Sequence, residues 1–297
     1  MTPSRKGSIY CPSSSSCCLP PPIDSGKIAA VDLDGTLLDA EKRISSENAH
    51  AIEQLIELGF SIVLTTGRVY QHTLPYYQQL GLQGPLVTAD GALVRIPNGR
   101  HIRDVSLPRQ AVATILRSAQ ARQITALSFR RDGIRVTSKF EWNDDMDRHR
   151  RELPNHFGHS AVTAVVRSKV HKILLMGPSP LLQSFEASLP ESVISQSNLI
   201  RNSITLEFTA RGVDKVSGLS CLGTPEQVTF FGDGNNDVAA LRWAHQSFAM
   251  NHATDAAKDA AKLIAPPSSA GTNFAVAVQL FISTNNYKDS ESNECKI

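Results

Sequence analysis

No apolar run in this 297-residue sequence approaches the roughly 20 residues needed to span a bilayer. Membrane insertion therefore has no support. A dominant charge sign is missing too. Thirty basic and 28 acidic side chains leave a formal net charge of +2, which favours neither nucleic acid nor an anionic membrane as partner. Cysteine is sparse. Its five positions, Cys11, Cys17, Cys18, Cys221 and Cys295, are odd in number and crowd the two ends. That excludes a disulfide framework and a zinc-ligand spacing, and a reducing, cytoplasmic setting is expected. The N-terminal stretch lacks the apolar segment of a secretory signal. No internal repeat of fixed period is visible.

What is present suits an ordinary globular enzyme. Hydrophobic residues make up 41% of the chain, as in soluble proteins generally, and the length suggests about two domains. Residues 1–25 are rich in Ser and Pro and read as a disordered leader. Residues 285–297 read as a polar, disordered tail.

The informative stretch is Ile28-Ala-Ala-Val-Asp32-Leu-Asp34-Gly-Thr-Leu-Leu38. A short apolar run reads as a buried strand. It ends in two aspartates one residue apart, where open α/β sheets place their ligands. Such a pair suits phosphoryl transfer. One carboxylate can act as nucleophile, and the other can protonate the leaving oxygen and then activate water. Two carboxylates repel a phosphate, so a divalent cation is required, and an oxygen-rich site suits Mg²⁺. The plain alternative is a strand running into a solvated, Asp-rich turn.

Similar strand ends recur. Ser45 caps a helical pattern of Ala49, Ile52, Leu55 and Ile56 that Gly59 stops. The strand Phe60–Leu64 then ends in Thr65-Thr66-Gly67-Arg68. There Thr66 can bind phosphate oxygens at a helix N-terminus or simply cap that helix. A third strand ends at Ala89-Asp90-Gly91-Ala92. Hairpins and helices follow: a hairpin turn at Asp132-Gly133, a charged helix over 142–153, a strand over 170–176, and strands near 193–197 and 204–208. This mixture suggests an inserted α+β unit. The parallel grammar resumes with Gly212-Val-Asp-Lys215. Lys215 opens a helix, where the dipole disfavours a cation. It is either a neutralising partner for an acid and a phosphoryl group or a surface lysine. The strand Val228–Phe231 ends in Gly232-Asp-Gly-Asn-Asn-Asp237. No Glu stands at the twelfth position of that loop and no helix pair flanks it, which argues against an EF-hand.

These motifs, in this order, resemble the haloacid dehalogenase-like phosphatases of the Cof type, over about residues 27–280. The resemblance implies an α/β fold: a Rossmann-like parallel-sheet core with an inserted α+β cap domain. The expected core is 26–95 plus 206–284, and the expected cap is 96–205. It implies Asp32 as nucleophile and Asp34 as general acid/base. It implies a Mg²⁺ site at Asp32, Asp233, Asp237 and Asp34 (through its backbone carbonyl), with Asp237 supporting Lys215 or a metal-bound water. Thr66, Gly67, Lys215 and Asn236 form the implied phosphate site. The expected activity is hydrolysis of a small phosphorylated metabolite, a sugar phosphate first, through an aspartyl phosphate, by a monomer or homodimer. A phosphomutase or a retired binding protein would share much of this pattern, although retirement normally loses an essential acid. Two departures stand out. Asp90 replaces the usual Asn of Asn-Gly-Ala; an extra acid there repels phosphate unless it is paired, so its carboxylate is expected to point away or to meet a cation. His252 replaces an Asn that usually helps shape the site. Cap residues His171, Lys172, Trp142, Arg130 and Arg135 are candidate substrate contacts.

Overall fold

The computed structural model describes residues 26–97, 99, 101–138, 157–269 and 271–285. The leader, the tail from 286 onward, Trp142 and the helix expected over 142–153 lie outside these. The core begins with β1 (Ile28–Val31), the helix Ser46–Glu57, β2 (Ser61–Leu64), the helix Tyr70–Gln79, β3 (Leu86–Thr88), β4 (Leu93–Arg95) and β5 (His101–Asp104). Ser45 caps the first helix by accepting from the amide of Asn48, as its sequence suggests. After a helix at Arg109–Ala121 come β6 (Thr125–Arg130), β7 (Gly133–Ser138), β8 (Phe157–His159), β9 (Lys172–Met176), β10 (Ser197–Arg201) and β11 (Thr205–Ala210). The core resumes with the helix Lys215–Leu219, β12 (Val228–Gly232), β13 (Gln246–Ala249), β14 (Leu263–Ile264) and the helix Asn273–Thr284. That last apolar helix is absent from the sequence reading.

The core sheet is parallel, in the order β14-β13-β12-β1-β2, and β3 adjoins β2 through a parallel Thr65–Val87 bridge. All four residues of β1 are buried, as expected for a strand covered on both faces. Chain order reverses between β1 and β12, and the crevice beyond the strand ends at such a reversal is where open α/β sheets bind ligands. Phe231, Phe248, Phe274 and Phe281 pack on one another beneath that point. This anchors the C-terminal helix against β12 and β13.

The inserted unit is a six-stranded sheet, β10-β11-β9-β6-β7-β8. It is antiparallel except where β8 runs parallel to β7. Side chains alternate across it. Ala126, Ile173, Leu175, Leu206 and Phe208 point into one core with Ile115, Leu116 and Phe185. Leu127, Phe129 and Ile134 point the other way and meet Val69 of the parallel-sheet core, with Leu174 and Met176 packed beside them. The period of two is a property of extended backbone.

β5 pairs with β4, and β11 pairs with β9 through Thr209 and with β10 through Ala210. The strand expected near 193–197 is instead a short helix, Glu191–Ile194, followed by β10 from Ser197. Pro190 sets the turn, its carbonyl accepting from the amides of Val193 and Ile194. Among the described residues, no helix is long and apolar enough to cross a membrane.

Candidate active site

Register brings the acids together. Val31 lies opposite Phe231, so the strands end level and Asp32 and Asp233 both emerge at the sheet reversal. Lys215, first residue of its helix, sends its ammonium beneath them. Nζ donates to Asp32 Oδ1 at 2.5 Å and to Asp237 Oδ1 at 2.6 Å, fully buried. A buried lysine survives only with such partners. Burial would lower its pKa, but Asp237 and Asp32 outweigh that and raise it. The other oxygen of Asp237 accepts from the amides of Asp233 and Gly234. Asp237 therefore braces the lysine and the loop together. Lys215 stands behind Asp32 and is not on the wall of the cleft.

Asp32, Asp233 and Asp237 offer carboxylate oxygens that all lie within 4.8 Å of one another. Burial pushes Asp32 well above the ordinary carboxylate range; Lys215 opposes this, while Asp237 and Asp233 add to the rise. Burial, then Asp237, lifts Asp233 to about 7, even though Thr36 Oγ1 donates to it at 3.0 Å. Crowded carboxylates that resist ionisation are short of positive charge. An all-oxygen donor set of this kind fits a hard divalent cation such as Mg²⁺. Gly35 makes the approach possible. Its φ is +83°, and a Cβ there would overlap the Asp233 carboxylate.

The side chain of Asp34 belongs to a different network. Arg68 grips it with two hydrogen bonds of 2.6 Å, and Lys42 adds a third at 2.7 Å. Burial alone would raise its pKa, but these cations hold it below the usual carboxylate range. The Asp34 carboxylate is thus outside the acidic group that can hold a metal. Thr66 does not cap the following helix, whose N-cap is Val69. Its hydroxyl accepts from the Arg68 amide at 3.2 Å and lines the cleft beside Gly67.

Asp90 is buried, does not line the cleft and is paired, the condition under which an extra acid beside a phosphate site is tolerated. Lys172 of the inserted sheet donates to its Oδ2 at 2.7 Å and Asn236 to its Oδ1 at 2.8 Å. Burial is outweighed by Lys172 and Lys215, so its pKa is lowered. The extra acid is tolerated because an extra cation, also bound to Glu207, faces it. The backbone there is left-handed, with φ of 50° at Ala89 and 54° at Asp90. The Ala89 and Asp90 amides hold it by donating to the carbonyls of Arg68 and Thr66. Gly67 leaves room, since a Cβ would lie 2.9 Å from the Lys172 ammonium. His252 is half-exposed at the rim, 3.9 Å from Asp233.

The cleft between core and inserted sheet measures about 330 Å³. Asp32, Asp34, Thr66, Gly67, Asp233 and Asn236 lie on its core side, and Lys172, Phe129, Leu174 and Ile200 lie opposite. Of the other candidate cap contacts, His171 pairs with Asp104 at 2.8 Å, and Arg130 and Arg135 pair with Asp132. None of these three lines the cleft. Phe129, Leu174, Ile200 and Glu207 were missed. The signal was in the sequence: alternating residues of strands whose opposite faces are apolar.

A model of haloacid dehalogenase-like hydrolases matches residues 29–272. A Bacillus subtilis 5-amino-6-(5-phospho-D-ribitylamino)uracil phosphatase is 28% identical over 79% of this chain and 90% of its own length. A Yersinia enterocolitica HMP-PP phosphatase is 27% identical over 76% of this chain and 84% of its own. A haloacid dehalogenase-like hydrolase structure from Bacteroides thetaiotaomicron superposes with a TM-score of 0.74 at 24% identity, covering 86% of this chain and 99% of that one. A subclass IIB sugar phosphatase superposes with a TM-score of 0.74 at 20% identity, over 86% and 98% of the chains. At these identities the structures share the fold.

Proposed function

The chain belongs to the haloacid dehalogenase-like hydrolases, and we propose that it is a Mg²⁺-dependent phosphatase of a small phosphorylated metabolite, working through an aspartyl phosphate. The observation that carries this reading is the buried Lys215 ammonium between Asp32 and Asp237, with Asp233 beside them at the sheet reversal. The relatives named above differ in substrate. They support a shared phosphoryl end and leave the other end of the substrate open.

Asp32 attacks phosphorus, and the bond to the leaving oxygen breaks as that oxygen takes a proton from Asp34. Water then attacks the aspartyl phosphate, gives its proton back to Asp34 and frees Asp32 with inorganic phosphate. Thr66 and the backbone at Gly67 bind phosphoryl oxygens, and Lys215 keeps Asp32 aimed and ionised. Asn236 joins them when its amide leaves Asp90. Asp32, Asp233 and the backbone carbonyl of Asp34 would hold Mg²⁺, with Asp237 behind them. Bound there, Mg²⁺ supplies charge neutralisation for the phosphoryl oxygens. Asp34 is parked on Arg68 as an anion, so it is ready as a base and must loosen from Arg68 to serve as an acid. The inserted unit is the cap, which covers the cleft and excludes water.

The test is inorganic phosphate release from a panel of phosphorylated metabolites, with and without Mg²⁺, in the wild type and Asp32→Asn. Mg²⁺-dependent release that Asp32→Asn abolishes is expected. Undiminished turnover in that variant would end the proposal.

A further inference from the structure

We infer that the seam between the inserted unit and the core holds a second ligand site, for an organic anion with a short apolar body. The site lies outside the phosphatase reading, and only its effect on turnover rests on that reading. A cavity of about 500 Å³ opens there, within the range of about 300–1,000 Å³ that small-molecule sites span. Both units wall it. Leu189, Ile194, Leu199 and Ile200 belong to the inserted unit, and Val238 and Ala239 of the core helix Val238–Trp243 also line it. Ile194 is left 45% exposed, and covering such a side chain with an apolar body is favourable.

Charge selects an anion. Arg211, in the segment that returns the chain to the core, and Arg242, in the core helix, both line the cavity. Among the described residues neither guanidinium has a hydrogen-bond or ion-pair partner, whereas Arg68, Arg131, Arg135 and Arg201 each hold a carboxylate. The two acids on the wall are already matched. Asp90 accepts from Lys172 and Asn236, and Asp214 caps the helix Lys215–Leu219 by accepting from the Ser217 amide at 2.7 Å. The charge left to meet an occupant is therefore positive. A guanidinium pairs with a carboxylate or a phosphate through two parallel hydrogen bonds.

The position of the cavity gives its occupant a consequence. Ile200, Asn235 and Asn236 line both it and the active cleft, so the two lie back to back. An occupant that touches both walls favours the arrangement in which those walls face each other. It holds the inserted unit down on the core, while release of product needs that unit to lift.

The probes are hexanoate and hexylphosphonate, with hexan-1-ol as the uncharged control of equal length. Titration calorimetry is run without Mg²⁺, so that the active-site carboxylates stay unneutralised and repel the probes. At least one anion should bind with a Kd of about 1 mM or tighter, and the alcohol should give no measurable binding. The tighter headgroup identifies the source as a carboxylate or a phosphate. Arg211→Gln and Arg242→Gln, both at exposed positions, should each weaken binding about tenfold. Ala239→Phe should do the same by filling the cavity without altering its charge. Failure of both anions to bind, equal binding of the alcohol, or an affinity that these substitutions leave unmoved would overturn the site. With Mg²⁺ present, saturating probe should at least halve kcat for release of phosphate from an aryl phosphate in the wild type and not in Ala239→Phe. A rise in KM alone is competition at the active site and would overturn the coupling. Wild-type protein that releases phosphate from no ester counts against the phosphatase reading, and the calorimetry still decides the site.

Discussion

The ammonium of Lys215 lies 2.5 Å from one carboxylate oxygen of Asp32 across 183 residues of chain, with no exposure to solvent. Removing one partner of a buried ion pair leaves the other uncompensated, at a cost of about 3–5 kcal/mol. Lys215→Met should therefore lower thermal stability. It should also cut kcat by about 10²–10³, the scale for loss of one preorganised charge. A variant with wild-type melting and turnover would show that the lysine neither braces nor aims Asp32.

Gly35→Ala should remove activity with little change in the distant cap. Its Cβ would overlap the Asp233 carboxylate, and its φ of +83° disfavours any side chain. Asp233 must then leave the acidic group. Calorimetric titration with Mg²⁺ should find binding weakened by an order of magnitude or more. Wild-type affinity in this variant would contradict the assigned place of Asp233.

Arg68 sets the titration of Asp34. Its two hydrogen bonds and its charge, helped by Lys42, hold that carboxyl below the ordinary range against the effect of burial. Arg68→Gln leaves Lys42 alone, so the pKa should rise. In the proposed mechanism water activation needs ionised Asp34, so the acid limb of kcat should move to higher pH by about one unit, equivalent to about 1.4 kcal/mol. An unmoved limb would mean that Asp34 does not act as the base.

Asp90 and Lys172 tie the cap to the core. Asp90→Asn keeps the shape and tolerates the left-handed backbone, but loses a charged hydrogen bond worth about 1.5–3 kcal/mol. The pH dependence has a definite sign. The Asp90 pKa is lowered by Lys172 and Lys215 against burial. Its contribution is therefore present above the unfolded carboxylate value of about 4 and lost as pH falls through the folded value. The Lys172 pKa is raised by Asp90 and Glu207 against burial. Its contribution is present below about 10.4 and lost only in stronger base. The stability gap between wild type and variant should stay flat from about pH 5 to 9 and close in acid. Melting curves across that range would check this, and a gap that opened in acid would refute it.

Much of the core was legible before any coordinates. Asp32, Asp34, Thr66, Lys215 and Asp233 each follow a strand or open a helix, and local pattern marks such places. The partners were not legible. Asp34 meets Arg68 because the neighbouring strands β1 and β2 end side by side, and Asp90 meets Lys172 because the inserted sheet packs on the core; nothing local in the sequence records either distance. Whether Asp90 is paired could not be read locally, because its cation lies 82 residues away. The last helix, Asn273–Thr284, was overlooked because it is apolar nearly throughout, with Phe274, Ala277, Val278, Phe281 and Ile282 buried. Its face cannot be recognised by contrast with polar neighbours.

The alternation along β9 gives one strand two separate duties. Ile173 and Leu175 maintain the cap as a folded unit, while Lys172 and Leu174 look out on whatever occupies the cleft. New chemistry at Leu174 can be tried without disturbing the inward positions, whereas Lys172 is committed to Asp90 and Glu207. The lid can be retooled for another guest while the phosphoryl-handling floor beneath it stays as built.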